Sequence, residues 1–538
     1  MSRAAGVDTS QARATRAPCA GGDVGHDERA APGGAAIGAL AAASGALYFL
    51  GYVGWGIWPC VLVFLVPLWR ALEAAPSLRS SASAGWIFGA VAYAGGFTWL
   101  WRLVDPFLDG NRLVGAVLWL AYGAWFATGF AFYGLAVRAI RDRGWSMALA
   151  GVPPLLVLEW LQLQIFPLYA GNALVTFPVW AQAADVGGPL LLTALLGYAN
   201  LVAFEAWSWW RGERACPTTL ALLAALVGVL TFGYGRLRVG TVDARTAAAP
   251  ALRVGVVQAD LDVGTRDALS VQSHERHLAQ TRELLAGGEV DLVVWPESAY
   301  VRGLRRPLPI SGRPIRKELS VPLVFGAASV VEQGGRRRKS NSAFLVDADG
   351  EIRDGYDKNL LIPLAEYLPL ARILGLLSPW LPHTEDFGAA DTTPALRLGG
   401  WRLATPICYE AIRPEFVRRM VQRTRPHLLI TLANDAWFGD SEEPWLHLAL
   451  ARLRAIEHRR WMVRATNSGI SAIVDPAGRI VAETGVLTRA NLRGVVHLLD
   501  GETVYGRLGD WPGWVAIVVT VLTLVGPLVR GAGRRRPG

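Results

Sequence analysis

A series of apolar stretches, each about as long as the 17–25 residues needed to cross a bilayer, fills the first half of the chain. Backbone N–H and C=O groups inside lipid must be satisfied within their own segment, so these stretches are read as helices. Spans are expected near Ala35–Leu50, Trp55–Leu72, Ala84–Val104, Leu113–Ile140, Met147–Leu163, Pro189–Trp209 and Thr218–Tyr234. An eighth is expected near Trp511–Val529. Hydrophobic residues make up 52% and charged residues 18% of the chain, against about 25% charged in a soluble domain.

The net charge of +9 could suggest nucleic acid, but arginines clustered beside apolar stretches set membrane topology instead. Arg70 and Arg79 follow the second span, Arg138, Arg141 and Arg143 the fourth, and Arg211 and Arg214 the sixth. Arg530 and Arg534–Arg536 follow the eighth. All four clusters fall on one side if the N-terminus is cytoplasmic, and Arg102 and Arg112 on the other side are balanced by Asp105 and Asp109. The expected organisation is a disordered cytoplasmic leader (1–32), a seven-span membrane domain (33–235), an extracytoplasmic domain (236–510), an eighth membrane helix (511–530) and a basic cytoplasmic tail (531–538). Trp55, Trp58, Trp99, Trp101, Trp207, Trp209 and Trp210 read as an interfacial aromatic belt. No zinc-finger spacing and no basic-aromatic stripe speaks for nucleic acid.

The long polar segment has a different pattern. Leu252–Val257, Val290–Trp295, Pro322–Ala327, Leu403–Ile407 and Leu428–Leu432 are short apolar runs consistent with buried strands, and Glu275–Leu285 has helical periodicity. Asp347–Gly350 and Asp475–Gly478 are turns between apolar runs and predict hairpins. Alternating strands and helices with added hairpins indicate an α/β layered domain.

Four cysteines, Cys19, Cys60, Cys216 and Cys408, lie too far apart for a C-x-x-C site, so neither a disulfide framework nor a zinc site is expected. Cys19 lacks the preceding apolar run of a lipoprotein signal. Cys408 alone lies in the polar half, at the end of Leu-Ala-Thr-Pro-Ile. Glu297 follows Leu-Val-Val-Trp-Pro, and Lys358 is one of only three lysines, with Lys317 and Lys339, in an arginine-rich chain. A thiol needs a base to become a thiolate, and a lysine can stabilise both thiolate and oxyanion. Glu297, Lys358 and Cys408 supply one group of each kind.

At these residues the sequence resembles the nitrilase superfamily, and most closely its membrane-embedded branch, the apolipoprotein N-acyltransferases. The resemblance runs through Trp295-Pro-Glu297, the Lys-x-x-Leu-x-Pro-x-x-Glu-Tyr-x-Pro motif at 358–369, and Ile407-Cys-Tyr-Glu410. It continues through Asn434–Gly439, Pro444–His447, Arg454–Glu457, Arg464–Gly469 and Gly506–Asp510. It implies an eight-span helical bundle plus a four-layer α-β-β-α nitrilase-like domain on the periplasmic side of the bacterial inner membrane, with both termini cytoplasmic. The implied reaction is a ping-pong acyl transfer that needs no cofactor and no metal. A phospholipid acyl chain passes through a thioester on Cys408 to the α-amine of a diacylglyceryl-apolipoprotein. Glu297 is then the base, and Lys358 with the Tyr409 N–H binds the oxyanion. Glu366 orients the lysine; Tyr409, Glu410 and Asn434 support the site; Trp437 and Phe438 are candidate lipid contacts. The chain departs from the family pattern after Gln258, at Gln162 and at Leu168.

A membrane-tethered amidase would use the same triad, but eight spans are unnecessary for a small soluble amide. A transporter or receptor would need paired intramembrane charges, whereas Glu159 and Glu205 are the plainest ionisable groups in the spans. No G-x-S-x-G elbow supports a serine hydrolase. His447 and His458 lie in a helical-looking stretch and read as structural.

Overall fold

The computed structural model describes residues 33–103, 112–261, 270–333, 336–363, 366–367 and 387–526. The leader, the basic tail with Arg530, Cys19, Asp105 and Asp109 lie outside the described residues, as does the expected eighth span beyond 526.

Among the described residues, four helices are long and apolar enough to cross a membrane: Gly34–Gly51, Arg112–Asp142, Ala184–Trp210 and Thr218–Ala248. Met147–Leu161 and Trp511–Val525 are shorter apolar helices. The expected span Trp55–Leu72 is not one helix. Gly54 and Gly56 take positive φ, a 3₁₀ turn follows over Trp58–Leu62 with Pro59 in it, and only then does the helix Leu65–Ala74 begin. Glycines in a left-handed backbone and a proline lacking an N–H divide what hydropathy alone reads as continuous. The third segment begins earlier than expected, as the helix Leu78–Gly96, because the Ser77 hydroxyl accepts from the Ser80 N–H and caps its first turn.

On Thr218–Ala248 only Gly235 and Val242 are buried, while Leu222, Leu223, Val229 and Leu230 are exposed. Apolar surface of this extent along a helix calls for a lipid neighbour. The helix also runs unbroken past residue 235 to Ala248. Arginines from three of the clusters meet at one carboxylate: Glu73 accepts from Arg214 (2.5 Å) and from Arg141 at the end of Arg112–Asp142 (3.3 Å), and lies 3.7 Å from Arg70 on its own helix. Three of the arginine clusters seen in the sequence therefore share one face.

The second half forms two mixed sheets. Their strands are β1 (Ala251–Gln258), β2 (Leu292–Val294), β3 (Tyr300–Arg305), β4 (Ile310–Ser311), β5 (Leu323–Gln333), β6 (Arg336–Val346), β7 (Glu351–Asp357), β8 (Leu396–Leu398), β9 (Trp401–Ala404), β10 (Leu428–Ala433), β11 (Trp461–Thr466), β12 (Ala472–Val474), β13 (Ile480–Glu483) and β14 (Ala490–His497). One sheet runs β14-β1-β2-β5-β6-β7-β4 with β3 beside β5, and the other β13-β12-β11-β10-β9-β8. The hairpins expected at Asp347–Gly350 and Asp475–Gly478 are β6–β7 and β12–β13. One buried cluster draws Val254, Val294 and Val324 from the first sheet and Leu403, Ile430 and Val463 from the second. The helix Ser270–Ala286 packs on the other side of the first sheet through Leu278 and Leu284.

The two halves are joined by buried charge. Arg459 donates to Asp185 at 2.6 and 3.0 Å and to the Gln182 side chain at 2.5 Å. Arg238 and Tyr234 also bond to Asp185, at 2.9 and 2.6 Å. Next to this junction a Cβ at Gly235 would fall 1.9 Å from the Val179 carbonyl oxygen, whereas one at Gly233 would meet nothing within 4 Å. Gly235→Val is therefore expected to lower the detergent-solubilised melting temperature, by the equivalent of about 1–3 kcal/mol for overpacking. Gly233→Val should leave it unchanged. Equal melting temperatures for the two variants would contradict this contact.

Candidate active site

Each candidate side chain leaves the end of a strand. Glu297 lies three residues beyond β2, Lys358 directly follows β7, and Cys408 lies four beyond β9. Ile407 bridges to Leu432 of β10, which anchors the cysteine turn to the second sheet. Gly326 on β5 lets the glutamate turn approach, since a Cβ there would lie 2.5 Å from the Ser298 nitrogen and 2.6 Å from the Glu297 Cα. Cys408 itself has φ +50°, a left-handed conformation that non-glycine residues hold only where their surroundings impose it.

Lys358 is 1% exposed and donates to Glu366 Oε1 at 2.9 Å and Glu297 Oε1 at 3.4 Å. Asn341 of β6 donates to the same two carboxylates, at 2.6 and 3.1 Å. Burial pulls the lysine down, but Glu297 and Glu366 outweigh it and hold its pKa above the ordinary lysine range, so it remains a cation. Burial raises the Glu297 carboxyl, with Lys358 opposing. Burial and the nearby Glu297 charge push the Cys408 thiol well up, with Lys358 again opposing. A buried thiol held neutral needs a base to attack anything, and a carboxylate whose basicity is raised is better matched to that proton.

Glu410 joins the cysteine turn to the lysine segment. Its carboxylate accepts from the backbone N–H groups of Asn359 (2.6 Å), Leu360 (3.0 Å) and Ile407 (2.8 Å) and from the Tyr356 hydroxyl (2.7 Å). Burial lifts its pKa to about 7, and the hydrogen bonds oppose a further rise. Tyr409 packs towards Phe166 of the helical half at 6.3 Å, and its hydroxyl accepts from Arg413 at 3.4 Å.

Asn434 caps the turn after β10: its side chain accepts from the Ala436 N–H and from Asn467, both at 3.3 Å. Phe438 is buried edge-on to Trp99 at 5.2 Å, and Trp99 meets Phe166 at 5.0 Å. Trp437 is half-buried against the helical core. An aromatic wall built from both halves thus adjoins the cysteine turn.

Gln162 donates to the Phe126 carbonyl at 3.0 Å and lines a cavity of about 150 Å³ with Glu159, Gln164, Arg413, Glu415 and Asp510. Leu168 is buried, its N–H bonded to Gln164. Gln258 is buried as an acceptor for Ser471 and Thr484. A larger cavity of about 730 Å³, at Arg305, Arg306 and Arg353, is lined by none of the candidate site residues.

The sequence reading assigned no role to Asn341, Tyr356, Asp435 or Arg464, although Asp435 and Arg464 lie within the quoted motifs Asn434–Gly439 and Arg464–Gly469. Asn341 is flanked by Ser340 and Ser342 in a strand that turns apolar at Ala343, which is its one local signal. Cys408, Asp435 and His447 have metal-binding donor types within 4.8 Å of one another. Asp435, however, is already bonded to His447 (2.9 Å) and to the Arg464 guanidinium (2.7 Å), and a fixed cation there opposes a second one.

Removing the Tyr356 hydroxyl should weaken the clamp. Tyr356→Phe is expected to lower thermal stability by about 1–3 kcal/mol, as for loss of a buried hydrogen bond to a carboxylate. An unchanged melting temperature would show that the Glu410 bond contributes nothing to the fold.

Comparison with known proteins adds the family. Residues 253–490 match the carbon-nitrogen hydrolase model and residues 44–203 the apolipoprotein N-acyltransferase N-terminal domain model. A protein of Azotobacter vinelandii named apolipoprotein N-acyltransferase is 33% identical over 527 residues, covering 93% of this chain and 96% of that one. One of the same name from Geobacter metallireducens is 30% identical over 501 residues, covering 89% and 92%. Among solved structures, Saccharomyces cerevisiae Nit3, a nitrilase-superfamily member, is 18% identical with a TM-score of 0.36, covering 46% of this chain and 90% of its own.

Proposed function

Because the chain belongs to the apolipoprotein N-acyltransferase family, we propose that it moves an acyl chain from a membrane phospholipid to the α-amine of a diacylglyceryl-apolipoprotein through a thioester on Cys408. The observation that carries this reading is the meeting of two unlike surroundings at one turn. Cys408 feels the charges of Glu297 and Lys358, and the adjoining Tyr409 and Phe438 pack on Phe166 and Trp99 of the helical half. A nucleophile set against aromatic groups of a membrane domain suits an amphiphilic ester more than a small soluble amide.

In the first half-reaction Glu297 takes the thiol proton as Sγ attacks the ester carbonyl. The resulting oxyanion is met by the Lys358 ammonium and the Tyr409 N–H. Collapse breaks the ester C–O bond, Glu297 returns the proton to the departing oxygen, and lysophospholipid leaves. In the second, the neutral α-amine attacks the thioester carbonyl, its proton passes to Glu297, the C–S bond breaks, and the proton returns to sulfur. Glu366 and Asn341 keep Lys358 aimed, and Glu410 holds the nucleophile turn and lysine segment in register. Asn434 supports the site by capping the neighbouring turn, and Trp437 and Phe438 border the acyl path.

The same reading places the α/β region, as a four-layer α-β-β-α sandwich, on the periplasmic side of the inner membrane. Eight spans leave both termini cytoplasmic, beside the arginine clusters that meet at Glu73. Its boundaries are those read in the sequence: a membrane domain over 33–235, a catalytic domain over 236–510 and a last span over 511–530.

Purified protein incubated in detergent with phospholipid alone is expected to gain one acyl chain on Cys408, seen by mass spectrometry, and Cys408→Ala none. Lys358→Arg should slow adduct formation by about 10²–10³-fold, the usual loss for an oxyanion donor, since a planar guanidinium does not replace a compact ammonium between two carboxylates. No adduct, together with Cys408-dependent turnover of small amides, would contradict the acyltransferase reading.

A further inference from the structure

Asn341 stands on β6 beside the two acids that flank Lys358, and it is 4% exposed. Its Nδ2 donates to Glu297 Oε1 at 2.6 Å and to Glu366 Oε1 at 3.1 Å. Both amide hydrogens are thereby used, and this fixes which way round the carboxamide sits. Turned over, its oxygen would meet only acceptors. The orientation leaves Asn341 Oδ1 buried with no hydrogen-bond partner among the described residues. An orphaned buried acceptor is destabilising, and local conflicts of this kind gather at functional sites. Lys358 Nζ also approaches Glu297 through Oε1, at 3.4 Å. One oxygen of the acid therefore has two donors, while Oε2 has no hydrogen bond among the described residues.

We infer that Asn341 is a positioning residue for Glu297: by donating to Oε1 it stabilises the carboxylate form and leaves Oε2 as the oxygen that takes the Cys408 proton. The inference rests on the reading of Glu297 as the base, and it goes beyond the aiming of Lys358.

In the acylation step the S–H bond breaks while an O–H bond forms at Oε2 and Sγ attacks the ester carbonyl. The proton then passes from Oε2 to the departing alkoxide oxygen. An oxygen without a fixed donor can make and lose that bond with nothing to displace. The groups around the acid act in opposite directions. Burial raises the Glu297 carboxyl and Glu366 adds to the rise, whereas Lys358 and the Asn341 bond lower it. Burial, Glu297 and Asp435 raise the Cys408 thiol that supplies the proton, with Lys358 opposing. Glu410 adds its charge at Lys358. Asn341 is the uncharged member of this set, so it favours the ionised acid without altering the net charge of the site. Removing its N–H destabilises the carboxylate, raises the pKa of Glu297 and moves the acid limb of thiol reactivity to higher pH.

The full-length protein in detergent is followed across pH in two assays. One is thioester formation from phospholipid; the other is alkylation of Cys408 by iodoacetamide, read on its own peptide by mass spectrometry. The second needs no lipid. In wild type both rates should rise along one acid limb, and Glu297→Gln should abolish that limb. Asn341→Ala, and Asn341→Asp with its unchanged shape, are each expected to move the limb up by about one pH unit or more, the order of a charge-assisted hydrogen bond. KM for phospholipid should change by less than about twofold, since Asn341 touches no substrate. A purely structural loss lowers the melting temperature and slows the reaction at every pH, but leaves the limb in place. Limbs at the wild-type position in the folded variants would overturn the positioning role, and the Asp variant decides if the Ala variant does not fold. A limb that survives Glu297→Gln would instead remove the base on which the role rests. Alkylation that follows the expected limbs without any thioester from phospholipid would contradict the acyltransferase reading and leave the role of Asn341 standing.

Discussion

The Glu410 carboxylate links two segments that the sequence keeps some fifty residues apart. Three backbone N–H groups and the Tyr356 hydroxyl converge on it. Two of those N–H groups belong to the residues just after Lys358, and one belongs to Ile407, just before Cys408. A buried carboxylate is strongly unfavourable unless donors surround it, so the four donors and the acid fix one another. That link ties the lysine segment directly to the cysteine turn, in addition to the strands that each of them leaves. It is also part of what imposes the left-handed turn at Cys408.

Around this link the site divides into a charged side and an apolar side. On the charged side Lys358 stands between Glu297 and Glu366, with Asn341 bonded to both acids. On the apolar side Tyr409 and Phe438 meet Phe166 and Trp99, so the helical half forms part of the candidate site's surroundings. The buried Arg459–Asp185 pair holds the two halves in that relation. Breaking such a pair by removing one partner leaves an uncompensated buried charge, which makes the junction a strong constraint on how the aromatic wall meets the turn.

Much of this was legible in the sequence because it depends on local pattern. The apolar runs at β1, β2, β5, β9 and β10, the two Asp/Gly turns and the helix over Ser270–Ala286 follow from periodicity and turn chemistry. Glu297, Lys358 and Cys408 were visible as polar residues at or near the ends of such runs, with Glu366, Tyr409 and Glu410 implied by the family resemblance. The division of the segment after Trp55 was not legible from hydropathy, because Gly54, Gly56 and Pro59 act on backbone conformation without changing the apolar character of the stretch. Tyr356, Asn341 and Asp435 were missed for a different reason. Each acts through a partner distant in sequence, and no local pattern records which buried polar groups will meet. His447, read in the sequence as structural, is buried and bonded to Asp435, a partner that its helical surroundings do not reveal.

The most direct test of the central claim is a chase of the isolated acyl-enzyme. The protein is loaded with phospholipid carrying an isotopically labelled acyl chain and stripped of free lipid. A diacylglyceryl-cysteine peptide with a free α-amine is then added. The account predicts that label leaves Cys408 and appears as an amide on the peptide amine, with no transfer from Cys408→Ala protein. Label that remains on the protein, or is released as free fatty acid at the same rate with and without peptide, would contradict it.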